Sequence, residues 1–522
     1  MLAPLARPTR RRLTAAAVAT ALCAGLAGAA LAPGVALAAP SASLGYDPVA
    51  NKGSLWHIAD AVHALDSYRA GYTGEGIGVA LIDTGVTEVP GLDTGNVWHG
   101  PDLSFDSQDP ELAHRDAYGH GTHLGSIIAG RDLADTPAGY VGQGRFHGIA
   151  PDANLLSVKV GASDGAVDVT QVIAGIDWVV QHRNDNGLNI RVINLSYGTD
   201  SLQDTRVDPL AYAVERAWAA GIVVVVAGGN DGSDNYNLAD PARSPYVIAV
   251  GAADTRGTIS FVDDTVPAWG TRGTNARHVD VVAPGVSVLG LRVPNGYADE
   301  RNSQARIGQR FAKASGTSQA AAVVSGEVAL LLQRYPAMTP DQVKMQLRST
   351  AHPFESTSNQ YRGNGLTDVR AAQVKTANIN RQPVTFYGDG TGSIEAARGS
   401  SHVTDGVTEL TGEVDIFGNP WNGAQWARRS ADRAAWSGGL WRGFTWSGNG
   451  WNARSWRDAA WTSGTWSARS WRDEQWTARS WRDGAWTGAD WSARSWRDSS
   501  WTARSWRSAD LASQGWLSAS WR

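Results

Sequence analysis

Short apolar runs recur through residues 74–378 and alternate with segments of helical periodicity. The runs are rich in Val and Ile, which is typical of strands buried on both faces of a parallel sheet. Asp168 and Thr339 precede helical patterns and suit N-cap positions. This alternation predicts an α/β fold of right-handed βαβ units, with ligands at the carboxyl ends of the strands. The predicted strands are residues 77–83, 154–160, 192–198, 222–229, 247–253 and 279–285.

The first 38 residues have the pattern of a secretory signal. Four arginines between residues 7 and 12 precede an apolar stretch from Leu13 to about Leu31, and Ala36-Leu37-Ala38 follows. This order predicts cleavage after Ala38 and export of the protein, with a twin-arginine address as a weaker interpretation and a membrane anchor as the alternative. The single cysteine, Cys23, lies inside this segment, so the mature protein is expected to have no thiol and no disulfide. No later stretch is apolar enough to predict a membrane span.

Composition and charge indicate more than one structural unit in the 522 residues. Hydrophobic residues make up 42% and charged residues 18%, which excludes a wholly disordered chain and a multi-span membrane protein. The formal net charge of −4 combines an acidic body with a basic tail, because residues 421–522 carry 15 Arg against 8 acidic residues.

The tail repeats tryptophan every five residues. Between Trp421 and Trp521 there are 19 tryptophans, and only Ala431 and Leu511 break the phase. Five residues rotate the rings by about 140° on a helix and place them on alternate faces of a flat strand. The period, which is also visible as a ten-residue unit, therefore predicts a β-solenoid-like array.

Two interpretations of this repeat domain remain open. As a binding module, exposed indoles and guanidinium groups would contact a cell-wall polysaccharide or another anionic surface. As a structural module, the rings form a core. Export argues against nucleic-acid binding by the tail. Residues 379–420 are interpreted as a connector between the α/β domain and the repeats.

Three segments place reactive side chains at the ends of predicted elements. Strand 77–83 ends in Asp83, which puts this carboxylate at the carboxyl edge of the sheet. His120 opens a predicted helix. Ser318 lies in the first turn of a later helix, where free backbone N–H groups favour negative charge. Asp, His and Ser follow one known chain order of the hydrolytic triad.

Neighbouring residues compete for these roles. His123 is expected to be a buried packing or hydrogen-bonding partner, because only one of the two histidines can be the base. Ser315 competes with Ser318, but only Ser318 has Gly-Thr before it and a small-residue helix after it. Taken alone, Asp83 suits a turn or helix cap; the combination of the three segments favours catalysis.

These segments resemble the three signature boxes of the subtilisin-like serine proteases. The boxes are residues 79–85 (VALIDTG), 120–123 (HGTH) and 316–318 (GTS). Residues 192–198 (VINLSYG) resemble the substrate-binding strand of that family, and residues 226–232 (VAGGNDG) its oxyanion-asparagine turn. The resemblance implies a parallel sheet flanked by helices, in a secreted serine endopeptidase that needs no cofactor for its chemistry.

The resemblance also implies a role for each residue. Ser318 would be the nucleophile, His120 the general base and then the acid, and Asp83 the group that fixes the imidazole tautomer. The Asn230 side chain and the Ser318 N–H would bind the oxyanion.

An extended polypeptide is the substrate that the resemblance implies. The backbone of Ser196-Tyr197-Gly198 would pair with it as an added strand. Tyr197 and the turn Ala227-Gly228-Gly229 would line the first pocket, which favours a large apolar side chain. Asp240 near the pocket floor would instead favour a basic one.

The sequence departs from the family pattern at several places. Gln319 follows the predicted nucleophile where the family usually has methionine, and Ala322 stands where it usually has proline. Fewer than forty residues separate Ala38 from the strand at Ile77, which leaves no room for a separate propeptide. Structural calcium is common in the family, but residues 131–147 do not match its usual binding loop. The acids there and near Asp93 are equally well interpreted as surface charge, so the metal content stays open.

The sequence therefore predicts a signal peptide (1–38), a subtilisin-like peptidase domain (39–378), a connector (379–420) and a tryptophan-repeat domain (421–522). The alternative is a catalytically silent subtilase fold that serves as a surface-binding or adhesive protein through its repeats. The complete set of Asp83, His120 and Ser318 favours the enzyme.

Overall fold

The fold was analysed in a computed structural model, which describes residues 44–354, 358–376, 387–404, 409–445 and 467–468. The predicted signal peptide lies outside the described residues. So does the repeat beyond residue 445, apart from the short strand 467–468.

A seven-stranded sheet forms the centre of the described part. Its strand order is β2-β3-β1-β4-β5-β6-β7, and every neighbouring pair is parallel. The strands are β1 (Gly78–Asp83), β2 (Val97–Asp102), β3 (Asn154–Lys159), β4 (Ile190–Leu195), β5 (Val223–Ala227), β6 (Ile248–Ala253) and β7 (Val281–Pro284). The predicted parallel α/β sheet is confirmed, and each of the six predicted runs contributes a strand. The seventh strand, β2, was not predicted. It is an edge strand, and its half-exposed residues do not form an apolar run.

Twelve helices and eight further short strands are described. The helices are α1 (Leu55–Ala61), α2 (Ala64–Arg69), α3 (His120–Ala129), α4 (Val169–His182), α5 (Pro209–Ala219), α6 (Tyr297–Arg301), α7 (Thr317–Arg334), α8 (Pro340–Thr350), α9 (Asn359–Arg362), α10 (Val369–Val374), α11 (Ile394–Arg398) and α12 (Gly423–Ala431). The short strands are β8 (Val288–Leu291), β9 (Arg306–Ile307), β10 (Phe311–Ala314), β11 (Val403–Thr404), β12 (Trp436–Ser437), β13 (Leu440–Trp441), β14 (Phe444–Thr445) and β15 (Ser467–Ala468).

Helices cover both faces of the sheet. A side chain at Gly125 of α3 would touch Leu81, whereas one at Gly175 of α4 would touch Ile82. Since neighbouring residues on a strand point to opposite faces, α3 and α4 lie on opposite sides of β1. Helix α7 packs beside α3, and α5 packs beside α4. This double cover explains why the strands are continuously apolar rather than alternating.

The predicted helix starts are confirmed. Asp168 caps α4, and its side chain accepts a hydrogen bond from the Thr170 N–H at 2.9 Å. Thr339 caps α8 in the same manner, and both caps are capping boxes completed by a glutamine.

The C-terminal segment, which comprises the described residues 387–404 and 409–445, packs against helix α4 of the α/β domain. Three of its side chains donate hydrogen bonds to the buried Asp177 on α4: Trp426 Nε1 at 2.8 Å, Trp441 Nε1 at 3.0 Å and Ser430 Oγ at 2.6 Å. The sequence-predicted boundary at Trp421 falls inside this packed segment, and Trp421, Trp426, Trp436 and Trp441 are all buried.

The described start of the repeat is not a regular coil. Its first ten residues form most of α12, which ends at the phase-breaking Ala431, and β12, β13 and β14 then form a small antiparallel sheet. The four tryptophans in this described start of the repeat are core residues. No helix within the described ranges has the length and apolar character needed to cross a bilayer.

Candidate active site

Asp83 ends strand β1 and is fully buried. Its Oδ1 atom accepts a hydrogen bond from the Thr84 N–H at 2.7 Å and lies 2.7 Å from His120 Nδ1. Lys159 stabilises the turn that follows β1. Its ammonium group donates a hydrogen bond to the Thr84 carbonyl at 3.0 Å and forms an ion pair with Asp106 at 2.9 Å. Sequence reasoning did not predict a role for this buried lysine, although it is the next-to-last residue of the predicted strand 154–160 and the last residue of β3.

His120 is the first residue of α3, and a second buried carboxylate fixes this end of the helix. Asp116 accepts hydrogen bonds from the Gly119 N–H at 2.7 Å, the Thr122 N–H at 2.7 Å and the Thr84 hydroxyl at 2.8 Å. It thereby joins the turn after β1 to the helix that carries the imidazole. Sequence reasoning also missed Asp116. An aspartate three residues before the glycine that precedes a helix is the signal that points to it.

His123 lies in the next turn of α3 and is almost fully buried. Burial, with a smaller contribution from His120, lowers its pKa to about 3, so the ring is neutral at ordinary pH. A side chain at Gly290 would come within 2.8 Å of this ring, which shows how closely β8 packs on it. This placement agrees with the expected packing role.

Ser318 lies in the first turn of α7. The preceding Thr317 donates both its N–H, at 2.9 Å, and its hydroxyl, at 3.0 Å, to the side-chain oxygen of Asn230. The competing Ser315 is fully buried, and its hydroxyl accepts the Ser287 N–H at 2.8 Å. Ser315 therefore holds a backbone turn, whereas Ser318 lines a cavity.

The Ser318 cavity brings together most of the predicted substrate residues. Its lining includes Asn230, whose amide nitrogen carries two N–H donors while its oxygen is engaged by Thr317. The other sequence-predicted residues in the lining are Ser196, Tyr197, Gly198 and Gly229. Gly228 is not in the lining. Its N–H donates to the Val250 carbonyl at 2.8 Å, so its backbone extends the sheet instead.

A second cavity lies on the histidine side. His120, His123 and Gln319 contribute to its lining, and the remainder is mostly apolar. Ser318 and Gln319 are consecutive residues of α7, so the helix start separates the two cavities. The side chain of Gln319 is buried, and neither of its polar atoms has a hydrogen-bond partner among the described residues.

Asp240 does not line the Ser318 cavity, although its neighbour Ala239 does. Its backbone pairs with Thr199 in a two-way bridge of 2.9 and 3.0 Å, and its carboxyl group is fully buried. Burial raises the pKa of Asp240 well above its usual range, and the nearby Asp208 raises it further. A carboxyl group buried outside the lining does not supply the expected attraction for a basic side chain in the cavity. The acidic residue in the cavity lining is Asp231.

Comparison with known proteins identifies the family. The sequence model of the subtilase family, Peptidase_S8, matches residues 74–379, which is more than half of the chain. The chain belongs to the subtilase family. The matched region contains Asp83, His120, Asn230 and Ser318, and it ends before the segment that docks on α4.

Relatives of this chain are named as a serine protease and as subtilisins. The chain is 37% identical to serine protease AprX of Bacillus subtilis over 318 residues, which covers 59% of this chain and 69% of the relative. It is 33% identical to subtilisin DY of Bacillus licheniformis over 307 residues, with 58% and 92% covered. Subtilisin Savinase of Lederbergia lenta is 32% identical over 317 residues, with 61% and 97% covered. This subtilase is a serine endopeptidase.

Catalysis by subtilases needs no cofactor. Within the described ranges, no three His, Cys, Asp or Glu residues are grouped as metal ligands. Two of the acids considered for calcium make other contacts: Asp132 pairs with Arg310 at 2.7 Å, and Asp93 accepts the Gly91 N–H at 3.1 Å.

Proposed function

We propose that Asp83, His120 and Ser318 are the catalytic triad of this serine endopeptidase. The observation that carries the proposal is the 2.7 Å contact between Asp83 Oδ1 and His120 Nδ1, because both side chains are buried. A carboxylate at this position holds the Nδ1–H tautomer, which makes Nε2 the basic nitrogen. Nε2 lies across the ring from Asp83, so the imidazole is oriented for proton transfer away from the carboxylate.

In the proposed reaction, His120 takes the proton of the Ser318 hydroxyl while the oxygen attacks the peptide carbonyl carbon. The tetrahedral intermediate breaks its C–N bond, and the proton passes from His120 to the leaving amine. Water then attacks the acyl-enzyme, again with His120 as base, and releases the carboxylic acid and free Ser318. Asp83 stabilises the imidazolium that forms in each half of the reaction.

Asn230 and the Ser318 N–H are the proposed oxyanion donors. The Asn230 oxygen accepts two hydrogen bonds from Thr317, which fixes the amide so that its nitrogen is the donor side. Ser318 lies in the first turn of α7, where backbone N–H groups have no partner in the helix. A lost oxyanion donor costs about 10²–10³ in kcat in a subtilisin, so an effect of this size is expected for Asn230→Ala.

The substrate is proposed to bind as an added strand along Ser196-Tyr197-Gly198. This segment follows β4, the neighbour of β1, and it shares the cavity lining with Ser318. Asp240, the residue that favoured a basic side chain, does not line the Ser318 cavity, which supports the apolar alternative for the first pocket.

A serine-directed fluorophosphonate probe tests the proposal. The full chain should be labelled, and Ser318→Ala should lose both the labelling and about 10⁶-fold of kcat, as in a subtilisin without its nucleophile. Ser315→Ala is the matched control and should keep the labelling. A well-folded protein that is not labelled would instead favour the alternative, a silent subtilase fold used for surface binding.

We also propose that the protein is secreted, with residues 1–38 as the signal peptide and 39–378 as the peptidase domain. The support is the arginine-apolar-small residue order of the first 38 residues. N-terminal sequencing of the enzyme from culture medium tests it, with Ala39 as the expected first residue if no further processing occurs. Contact of the repeats with cell-wall polysaccharide is tested by sedimentation with cell walls, comparing the full chain with one that stops at residue 445.

A further inference from the structure

Two loops flank the end of strand β1, where Asp83 lies. Strands β3 and β4 are the neighbours of β1 on either side, and all three are parallel, so their following loops meet at one edge of the sheet. The loop after β3 is residues 161–167. At its start this loop contacts Asp83, whose carbonyl accepts the N–H groups of Val160 and Gly161. At its end the loop leads into Asp168, the N-cap residue of α4. The loop after β4 contains the proposed substrate strand, Ser196-Tyr197-Gly198.

A buried arginine from the C-terminal segment holds the end of the first loop. Arg398 ends α11, and its side chain is fully buried. Its Nε atom donates to Asp168 Oδ2 at 2.6 Å, and its Nη1 atom donates to the Gly412 carbonyl at 2.9 Å. The other oxygen of Asp168 caps α4. Asp168 is therefore fixed from both sides, by α4 and by the C-terminal segment.

The same turn of α11 holds the second loop. The Thr199 hydroxyl donates to the carbonyl of Ala397 at 2.7 Å. Ser400 donates to both carboxylate oxygens of Asp200, with its N–H at 2.7 Å and its hydroxyl at 2.9 Å. Thr199 also pairs with the backbone of Asp240, beside the wall of the Ser318 cavity. Residues 397–400 thus connect to both loops and, through Thr199, to the wall of the Ser318 cavity.

Tyr197 links this contact to the substrate strand itself. Its side chain is buried, and burial raises its pKa well above the ordinary value, with smaller effects from the charges of Asp168 and Arg398. The tyrosine in the middle of the proposed strand therefore lies near the Arg398–Asp168 ion pair.

We propose that Arg398 is a positioning residue for the acyl side of the substrate, because it fixes the spacing between loop 161–167 and Ser196-Tyr197-Gly198. In this proposal a peptide with several residues before the scissile bond binds between the two loops, which follow neighbours of β1 at one edge of the sheet, and so depends on their spacing. A substrate with one such residue depends on the first pocket and the triad. The inference rests on the proposed function, since it takes Ser196-Tyr197-Gly198 as the substrate strand. It also assigns a role in substrate binding to a segment beyond the family match, which ends at residue 379.

The test compares two substrates on the full chain with Arg398→Met, which removes the charge and keeps an unbranched side chain. One substrate is a tetrapeptide amide with four residues before the scissile bond, and the other is an N-acetyl amino acid ester. KM for the tetrapeptide should rise about tenfold or more, the size expected from loss of one charge-assisted hydrogen bond. The ester kinetics and the rate of fluorophosphonate labelling should change little. Arg398→Lys should recover part of the loss, since it keeps the charge.

Two controls separate positioning from general destabilisation. Arg428→Met changes an exposed arginine on α12 and should leave both substrates unaffected. Trp436→Phe removes the indole hydrogen bond to the Ala174 carbonyl, 3.1 Å long, and weakens docking away from the two loops. Trp436→Phe should lower the melting temperature without a selective rise in KM for the tetrapeptide.

A parallel loss on both substrates, or no change in either, would overturn the proposal. If Arg398→Met does not fold, Thr199→Val removes the hydroxyl contact with Ala397 and must show the same selective rise in KM, or the proposal fails. A wild-type protein without fluorophosphonate labelling would mark failure of the proposed triad instead, so the two failures are distinguishable.

Discussion

Two buried aspartates show how differently the signature region and the C-terminal segment are held. Asp116 accepts its three hydrogen bonds from Thr84, Gly119 and Thr122, all within 32 residues along the chain. Asp177 also accepts three, but its donors are 249 to 264 residues away, in the C-terminal segment. Burial raises the pKa of both carboxyl groups, and hydrogen bonds act in the opposite direction. Each carboxylate is thus held by three hydrogen bonds. The donors to Asp116 are close to it along the chain, whereas the donors to Asp177 are distant in sequence.

This difference assigns different tasks to the two carboxylates. Asp116 joins the turn after β1 to the helix that starts at His120, so its hydrogen bonds fix the orientation of a side chain in the site. Asp177 lies in the interior of α4 and binds two indole N–H groups, so its hydrogen bonds attach the C-terminal segment to the protease. Loss of the first should act mainly on catalysis, and loss of the second mainly on stability.

Among the substitutions that test this comparison, Asp177→Ala is expected to have the largest effect. The substitution leaves two indole N–H groups and the Ser430 hydroxyl buried without an acceptor, so the free energy of unfolding should fall by about 3–5 kcal/mol. Calorimetry measures the loss, and kcat for the ester should stay near the wild-type value at a temperature where the variant is folded. Asp185→Asn, on the surface beyond α4, is the control and should leave stability unchanged. A large fall in ester kcat would contradict the proposed division of tasks.

The second prediction concerns Asp116→Asn. Gly119 and Thr122 donate to different oxygens of Asp116, and the amide nitrogen of asparagine replaces one of these acceptors. One N–H group therefore loses its acceptor, and the start of α3 and the His120 ring should shift. A misplacement of about 1 Å costs on the order of 100-fold in rate, and kcat/KM should fall by about that factor. Asp135→Asn, at an exposed carboxylate, should have no effect. Unchanged kinetics with a lower melting temperature would place Asp116 in the same class as Asp177.

The comparison also explains which features were predictable from the sequence. Asp83, His120 and Ser318 stand at the ends of strongly apolar elements, so local patterns place them at one edge of a parallel sheet. The cap at Asp168 was predictable for the same reason. Its ion pair with Arg398 was not, because the two residues are 230 positions apart and no local pattern relates them.

The five-residue period of tryptophan was visible but gave no information about its partner. The indoles of Trp426 and Trp441 find their acceptor on α4, and this contact depends on how the whole segment closes on the sheet. Gly228 shows a smaller limit: the sequence placed it in a pocket, whereas its N–H extends the β5–β6 pairing. A pattern of residue types does not distinguish the two sides of such a turn.

The third prediction uses Glu215, which links α5 to the C-terminal segment through the Gly388 N–H at 2.6 Å. Burial raises its pKa from 4.5 to about 7. The folded state therefore keeps a proton that the unfolded state has already lost, and stability falls as pH rises from about 4.5 to 7. The contribution is on the order of 2 kcal/mol between pH 5 and pH 8.

Urea unfolding of the wild type and of Glu215→Gln across this pH range measures the effect. The variant keeps an acceptor for Gly388 but does not titrate, so its stability should depend less steeply on pH. Glu111→Gln, at an exposed carboxylate, should keep the wild-type slope. Equal slopes in wild type and Glu215→Gln would mean that the attachment of this segment is not sensitive to pH.

The smallest effect is expected at Gln319, beside the proposed nucleophile. Oxidation by peroxide compares this position with the methionines elsewhere in the chain. A thioether at this position is converted by peroxide to a polar sulfoxide next to Ser318, whereas the glutamine amide does not react. The three methionines of the chain are Met1, Met338 and Met345, and the latter two lie at or near α8. The wild type should therefore lose activity slowly in peroxide, and Gln319→Met should lose it several-fold faster. Gln319→Leu, which has similar volume and no sulfur, should behave as the wild type. Equally fast inactivation of the wild type would show that a methionine outside the site controls activity.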